Sequence, residues 1–164
     1  MADVYAFLAA HDIAYQRADH APVWTWEEAE EVVPDLPGVH TKNLFLRNRR
    51  GQRHFLLVVE GSAQVDLRAL AEALGVGRLT LASAERLRQY LGLEPGAVSL
   101  LGVLNDGQRR VEVVVDRRVW QAEWVQCHPL VNTATLALRQ RDLARLLEVT
   151  GHVCHVLDVP TRQT

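Results

Sequence analysis

Gly38-Val39-His40-Thr41-Lys42-Asn43-Leu44-Phe45-Leu46-Arg47-Asn48-Arg49-Arg50-Gly51-Gln52-Arg53-His54-Phe55-Leu56-Leu57-Val58-Val59 is the stretch on which the fold turns. Two runs rich in β-formers, Leu44 to Arg47 and Arg53 to Val59, flank a polar loop containing Gly51, the pattern of an antiparallel hairpin. Leu56-Leu57-Val58-Val59 has no polar alternation, so this strand is expected to be buried on both faces. Lys42, at the mouth of the first run, is the single lysine against seventeen arginines. A chain that uses Arg for positive charge everywhere else and keeps Lys here points to a need for a compact, strongly hydrated ammonium instead of a planar fork.

Upstream of the hairpin, Asp3 can cap a helix with Val4, Phe7 and Leu8 on its apolar face, and Ile13 to Arg17 alternates as a strand. Thr25 stands three residues before Glu28, a capping-box spacing that predicts a short helix to about Val33, ended by Pro34 and the Leu36-Pro37-Gly38 turn. Downstream, Asp66 caps a helix carrying Leu67, Leu70, Ala71 and Leu74, closed by Gly75, and a second helix runs from about Ser83 to Leu91. Val98 to Leu104 and Arg110 to Val115 read as another hairpin around Asn105-Asp106-Gly107. Strands are expected at Trp124 to His128, Thr133 to Leu138 and Val153 to Leu157, with a helix through Leu143, Leu146 and Leu147 ended by Gly151. Helices set between groups of hairpin strands predict an α/β fold of the α+β type: a mixed, mainly antiparallel sheet with helices packed outside.

Length and composition limit what the chain can be. At 164 residues, 48% hydrophobic and 23% charged, it fits one domain over residues 1–160, with 161–164 as a frayed tail. No apolar run approaches the roughly 20 residues of a membrane span, and Met1-Ala2-Asp3-Val4-Tyr5 lacks the basic start of a secretory signal, so a cytoplasmic protein without a membrane partner is expected. Cys127 and Cys154 are too few for a disulfide framework and are expected to be reduced. A formal charge of −2 argues against non-specific coating of nucleic acid; DNA is not expected as a partner, and any RNA contact has to be focused.

Three large enzyme classes lose their main support, because GxSxG, GxxxxGK[ST] and GxGxxG are all absent from the sequence. Cys127 and His128 are neighbours on a strand and would point to opposite faces, a poor arrangement for a nucleophile and its base. His152, Cys154 and His155, with Cys127 and His128, hold ligand-type atoms, but no HExxH or paired CxxC anchors them, and neither metal nor cofactor is expected. Arg47, Arg49, Arg50 and Arg53 crowd one hairpin tip, either as a solvated turn or as a knob for phosphates. Gly96-Ala97-Val98-Ser99-Leu100 could present backbone N–H groups to an oxyanion. Trp24, Trp26, Trp120 and Trp124 could line a pocket, although core packing is the commoner fate of Trp.

Taken together, Gly38 to Leu46, the Gly96 loop before Leu104-Asn105-Asp106, and Cys127-His128-Pro129-Leu130-Val131-Asn132-Thr133 resemble the YbaK-like prolyl-tRNA editing family, in particular its freestanding ProX branch. The likeness runs from His20-Ala21-Pro22-Val23 to Thr150-Gly151-His152. It implies a barrel-like mixed fold that hydrolyses the ester of a mischarged tRNA(Pro), typically the alanyl ester, with a ribose hydroxyl of the tRNA assisting water and without a cofactor. Cysteinyl or seryl esters, or a non-catalytic module that binds tRNA or synthetase, are the alternatives. The resemblance further implies tRNA, through its 3′ acceptor end, as partner, with prolyl-tRNA synthetase as a second. By the same analogy Lys42, Gly96 and His128 are the catalytic positions, and Asn43, Val98, Ser99 and Asn132 surround the substrate. Arg47, Arg49 and Arg50 are the tRNA-binding candidates. The family's GxxxP loop starts at Gly96, but this chain has Leu100 where the pattern has Pro, which frees φ and restores an N–H.

Overall fold

The computed structural model describes residues 1–25, 27–28, 31 and 36–162. Helix α1 (Val4–Ala10) and strand β1 (Tyr15–Asp19) precede the hairpin of β2 (Thr41–Asn48) and β3 (His54–Glu60). Then come α2 (Leu67–Leu74), β4 (Leu79–Leu81), α3 (Ala84–Leu91) and a 3-10 helix (Leu100–Asn105). The chain ends with β5 (Val111–Asp116), the one-turn α4 (Arg117–Trp120), β6 (Trp124–Cys127), β7 (Ala134–Arg139), α5 (Gln140–Thr150) and β8 (Cys154–Leu157).

In the central hairpin Lys42 lies opposite Val59 and Arg47 opposite His54. It is built into a five-stranded sheet of order β4-β2-β3-β5-β8, and a three-stranded sheet has order β1-β7-β6. Pairings within the smaller sheet and those of β2 are antiparallel, whereas β5 runs parallel to both β3 and β8. The arrangement is therefore mixed and mainly antiparallel, as expected, but neither sheet closes on itself into a barrel. The two sheets meet at a parallel bridge between Val39 and Val125, where Val39 N–H donates to the Trp124 carbonyl at 3.1 Å and Gln126 N–H to the Val39 carbonyl at 3.0 Å. Gly38 makes this approach possible: its φ is +100°, and an added Cβ would sit 2.4 Å from the Trp124 oxygen.

Burial explains the unbroken apolar run of β3. Leu56 and Val58 face Val113, Val115, Val125, Leu136 and Leu138 between the two sheets. Phe55, Leu57 and Val59 face the other way, onto Leu70 and Ala71 of α2. Each such side chain contributes roughly 1.5–3 kcal/mol by leaving water, so the hairpin anchors both layers. Asp3, Asp66 and Ser83 cap α1, α2 and α3 through their side chains, and Gly75, Gly92 and Gly151 end helices in left-handed conformation.

The structure departs from the sequence reading in several places. The expected hairpin of Val98 to Leu104 with Arg110 to Val115 does not form. Ser99 instead caps the 3-10 helix, and β5 is inserted parallel between β3 and β8. Both outcomes bury Leu100, Leu101 and Val103, and an unbroken apolar run does not distinguish them. The carboxylate of Asp106 makes the turn by accepting the N–H groups of Arg110 and Val111. β1 starts two residues later than expected, and β4 and α4 were not foreseen. Thr161 is not frayed: it bridges Val65, and Arg162 N–H donates to the Gln64 carbonyl at 2.7 Å, while 163–164 lie outside the described residues. Thr25 does cap its helix, accepting Glu28 N–H at 3.2 Å, but most of the segment to Val33 lies outside the described residues. No helix among the described residues is long and apolar enough to cross a membrane.

Candidate active site

Beside the start of β2, close to the Val39 bridge, lies a cavity of about 570 Å³. Four separate segments supply most of its walls: His40 to Leu44 at the start of β2, Ser62 to Gln64 after β3, the loop carrying Gly96 and Val98, and Gln126 to His128 at the end of β6, with Thr135 of β7 beside them. The loop of Val23, Trp24 and Thr25 borders it from outside.

Lys42, half-buried, reaches from β2 to donate its ammonium to the Ala63 carbonyl. It is the only Lys or Arg on the cavity wall among the described residues. Asn43, the next residue, faces the opposite side of the strand. Its Oδ1 is buried without a hydrogen-bond partner.

His128 is largely enclosed, and its Nδ1 lies 3.1 Å from the Ala134 carbonyl. A carbonyl only accepts, so Nδ1 carries the proton and Nε2 of the neutral ring is left as an acceptor. Burial, reinforced by the nearby His20, lowers its pKa below the ordinary imidazole value against the raising effect of the Ala134 bond, which keeps the ring neutral at pH 7. His20 is itself fixed, with Nδ1 2.8 Å from the Ala21 carbonyl and Nε2 2.8 Å from the Thr135 hydroxyl.

The loop after Pro95 is held by backbone geometry. Gly96 has φ +91°, and an added Cβ would lie 2.3 Å from the Trp24 ring, so that indole, 67% exposed, rests directly on the glycine. Ala97 N–H is committed to the Glu94 carbonyl at 3.0 Å, whereas the N–H groups of Gly96 and Val98 find no partner among the described residues. These two, and not Ala97, are the donors available to an oxyanion. Leu100 fills its position as a buried first residue of the 3-10 helix.

Other expected site residues act as supports. Ser99 is fully buried; its hydroxyl donates to the His128 carbonyl at 2.6 Å and accepts Leu101 N–H at 3.2 Å. Asn132 lies outside the cavity wall and holds the Val23 loop, donating through Nδ2 to the Val23 carbonyl at 3.3 Å. Arg47, Arg49 and Arg50 sit at the far end of the hairpin, roughly 16 Å along β2 from Lys42 at about 3.3 Å per residue. Arg47 there closes its own turn onto the Asn48 and Arg49 carbonyls.

The cysteine and metal alternatives find no geometry. Burial pushes the Cys127 thiol up to about 12, so it stays protonated at neutral pH. His152 is paired with Asp106 at 3.0 Å and His155 with Glu112 at 3.0 Å, and no three His, Cys, Asp or Glu side chains converge among the described residues. Of the tryptophans, Trp24 borders the cavity, Trp124 lies under the guanidinium of Arg139, and Trp26 is outside the described residues.

Residues 20–146 match the model of the aminoacyl-tRNA editing domain. The chain belongs to that family. Over 156 residues this editing domain is 37% identical to the prolyl-tRNA editing protein ProX of Acetoanaerobium sticklandii, covering 95% of each chain. It is 35% identical over 153 residues to prolyl-tRNA synthetase associated domain-containing protein 1 of Danio rerio, covering 92% of this chain and 83% of that one. Among solved structures, one described as a candidate trans-editing enzyme for prolyl-tRNA synthetase superposes with a TM-score of 0.71 at 20% identity, covering 99% of both chains. A hypothetical protein of known structure gives a TM-score of 0.75 at 22% identity, covering 96% of this chain and 99% of that one. These two likenesses concern the fold.

Several residues of the editing-domain cavity were not singled out from sequence: Thr41, Ala63, Gln126 and Thr135. Gln126 had a signal, a carboxamide inside the apolar run of β6. It is 3% exposed, and its Nε2 donates toward the Leu36, Pro37 and Gly38 carbonyls at 3.0, 3.3 and 3.5 Å.

Proposed function

We propose that this chain is a cytoplasmic deacylase that acts in trans on mischarged tRNA(Pro), with the alanyl ester as its substrate. One observation carries the reading: Lys42, Asn43, Gly96, Val98 and His128, from three distant segments, border a single cavity. The ProX relative is named for prolyl-tRNA editing, and the Danio rerio relative for association with the synthetase, which supports prolyl-tRNA synthetase as a second partner.

In this reading the Lys42 ammonium leaves the Ala63 carbonyl to hold the phosphate of the 3′-terminal nucleotide. Water adds to the ester carbonyl, assisted by the free hydroxyl of the terminal ribose. The N–H groups of Gly96 and Val98 receive the oxyanion; one such donor is worth about 100–1,000-fold in rate. The carbon–oxygen bond to the ribose then breaks, the ribose oxygen takes a proton, and free alanine and uncharged tRNA leave. Arg47, Arg49 and Arg50 would meet phosphates farther along the acceptor arm.

Selection rests on size. A synthetase pocket built for proline gains only about 1–3 kcal/mol per methylene against a smaller residue, so a second, smaller site that excludes proline is useful. Single-turnover deacylation of alanyl-, cysteinyl-, seryl- and prolyl-tRNA tests this directly. Alanyl-tRNA should be cleaved fastest and prolyl-tRNA at its uncatalysed rate. Preference for cysteinyl or seryl esters would overturn the substrate assignment, and cleavage of none would overturn the enzyme.

A further inference from the structure

Seven large apolar side chains are exposed among the described residues, and of these only Trp24, 67% exposed, borders the cavity. A scattered exposed apolar residue is ordinary, but an exposed indole on a fixed stem beside a site is not. The backbone on both sides of Trp24 is pinned. Val23 N–H donates to the Asn132 carbonyl at 3.3 Å, Asn132 Nδ2 donates to the Val23 carbonyl at 3.3 Å, and the Val23 side chain is buried. On the other side, the Thr25 hydroxyl accepts Glu28 N–H at 3.2 Å. Trp24 therefore stands between two anchored residues with most of its ring left to water. Part of that ring rests on Gly96, where an added Cβ would meet ring carbons at 2.3 and 2.5 Å. No other Phe, Tyr or Trp lies on the cavity wall among the described residues.

We propose that Trp24 is the stacking platform for the base of the 3′-terminal nucleotide. The inference rests on the deacylase reading above. In that reading the ester carbonyl lies at the N–H groups of Gly96 and Val98, and only a ribose separates the ester from the base. The base therefore has to lie close to the Gly96 loop, and the one Phe, Tyr or Trp on that wall is the indole seated on Gly96 itself. Stacking needs no reading of base edges, because every base has a π-face. It also takes apolar surface of both rings out of water. The alanyl methyl group is a poor occupant for this ring, being far smaller than the face it would have to cover. Lys42 and Trp24 then divide the nucleotide, the ammonium taking its phosphate and the indole its base, while the ester stays with the loop N–H groups.

The test compares two alanyl-tRNAs in single turnover over a range of enzyme concentrations, one ending in adenosine and one whose terminal ribose carries no base. Each rate is divided by that ester's uncatalysed hydrolysis. For the wild type, removing the base should raise the half-saturating enzyme concentration by about 5–150-fold, the worth of one base stacked on an aromatic ring. The saturated rate should change by less than about 3-fold, since the base stacks alike in ground state and transition state. Trp24→Leu, which keeps an apolar cover on Gly96 without a flat face, should raise the half-saturating concentration for the adenosine-ended ester and make the two esters equal. Trp24→Tyr should keep most of the difference. Uncharged tRNA ending in 2-aminopurine gives a second readout: saturating wild-type protein should quench its fluorescence, and Trp24→Leu should not. Equal half-saturating concentrations in the wild type, with alanyl-tRNA cleaved, or no quenching by it, would overturn the inference and leave the deacylase reading intact. Equal loss of saturated rate on both esters in Trp24→Leu would overturn it too, reducing Trp24 to a cover for the Gly96 loop. Cleavage of neither ester by the wild type would overturn the deacylase reading and the inference together.

Discussion

The Ser99 hydroxyl donates to the His128 carbonyl at 2.6 Å, fastening the loop after Gly96 to the end of β6. This bond joins two walls of the cavity that are 29 residues apart in sequence. Ser99→Ala removes it together with the cap on Leu101 N–H, and is expected to cost about 1–2 kcal/mol of stability. Deacylation should fall by about 10-fold through misplacement of the Gly96 and Val98 donors. Urea unfolding and single-turnover kinetics on the same preparation separate the two effects.

Lys42→Ala and Lys42→Arg should both lower deacylation by about 100-fold or more, the scale of a lost charge contact in a reacting site. Arg fails because its planar fork does not replace a point ammonium in a confined space. Neither change should move the unfolding free energy by more than about 1 kcal/mol, because Lys42 contributes little to either core. A Lys42→Ala enzyme with the wild-type rate would remove the mechanism.

Gly96→Ala places a methyl group against the Trp24 ring and forces a side chain into φ +91°. The exposed indole is free to swing aside, so the stability loss should be the backbone strain alone, about 1–3 kcal/mol. Activity should fall much further, since the loop N–H groups move with the strain. Trp24→Ala in the Gly96→Ala background should restore neither stability nor rate if the strain, and not the ring contact, is responsible.

His54 gives the fold an acid limit. It is 1% exposed, stacked against Tyr90 at 3.9 Å, and burial together with Arg86, Arg47 and Arg110 lowers its pKa to about 4. The unfolded chain takes up this proton near pH 6.5 while the folded chain does not, so stability falls as pH drops from about 6.5 toward 4. The loss is on the order of 3 kcal/mol, and below pH 4 this residue adds no further dependence. His54→Phe should flatten the dependence of the urea midpoint over that window.

Local patterns determined much of this protein. Side-chain caps at Asp3, Asp66 and Ser83, the glycine stops and the β2–β3 hairpin depend on residues within a few positions of each other, so short windows reveal them. The isolation of Lys42 and its neighbours likewise marked the cavity before its walls were known.

Only the tertiary structure decided how β5 pairs, because a strand buried on both faces carries no alternation to distinguish a hairpin partner from a parallel insertion between β3 and β8. The same holds for the site. Gln126 and Asn43 are 83 positions apart, and Ser99 and Asn132 turn out to brace the cavity because their hydrogen bonds are spent on His128 and Val23. Which polar atoms remain unpaired depends on every contact around them, and packing settles that after the chain has closed.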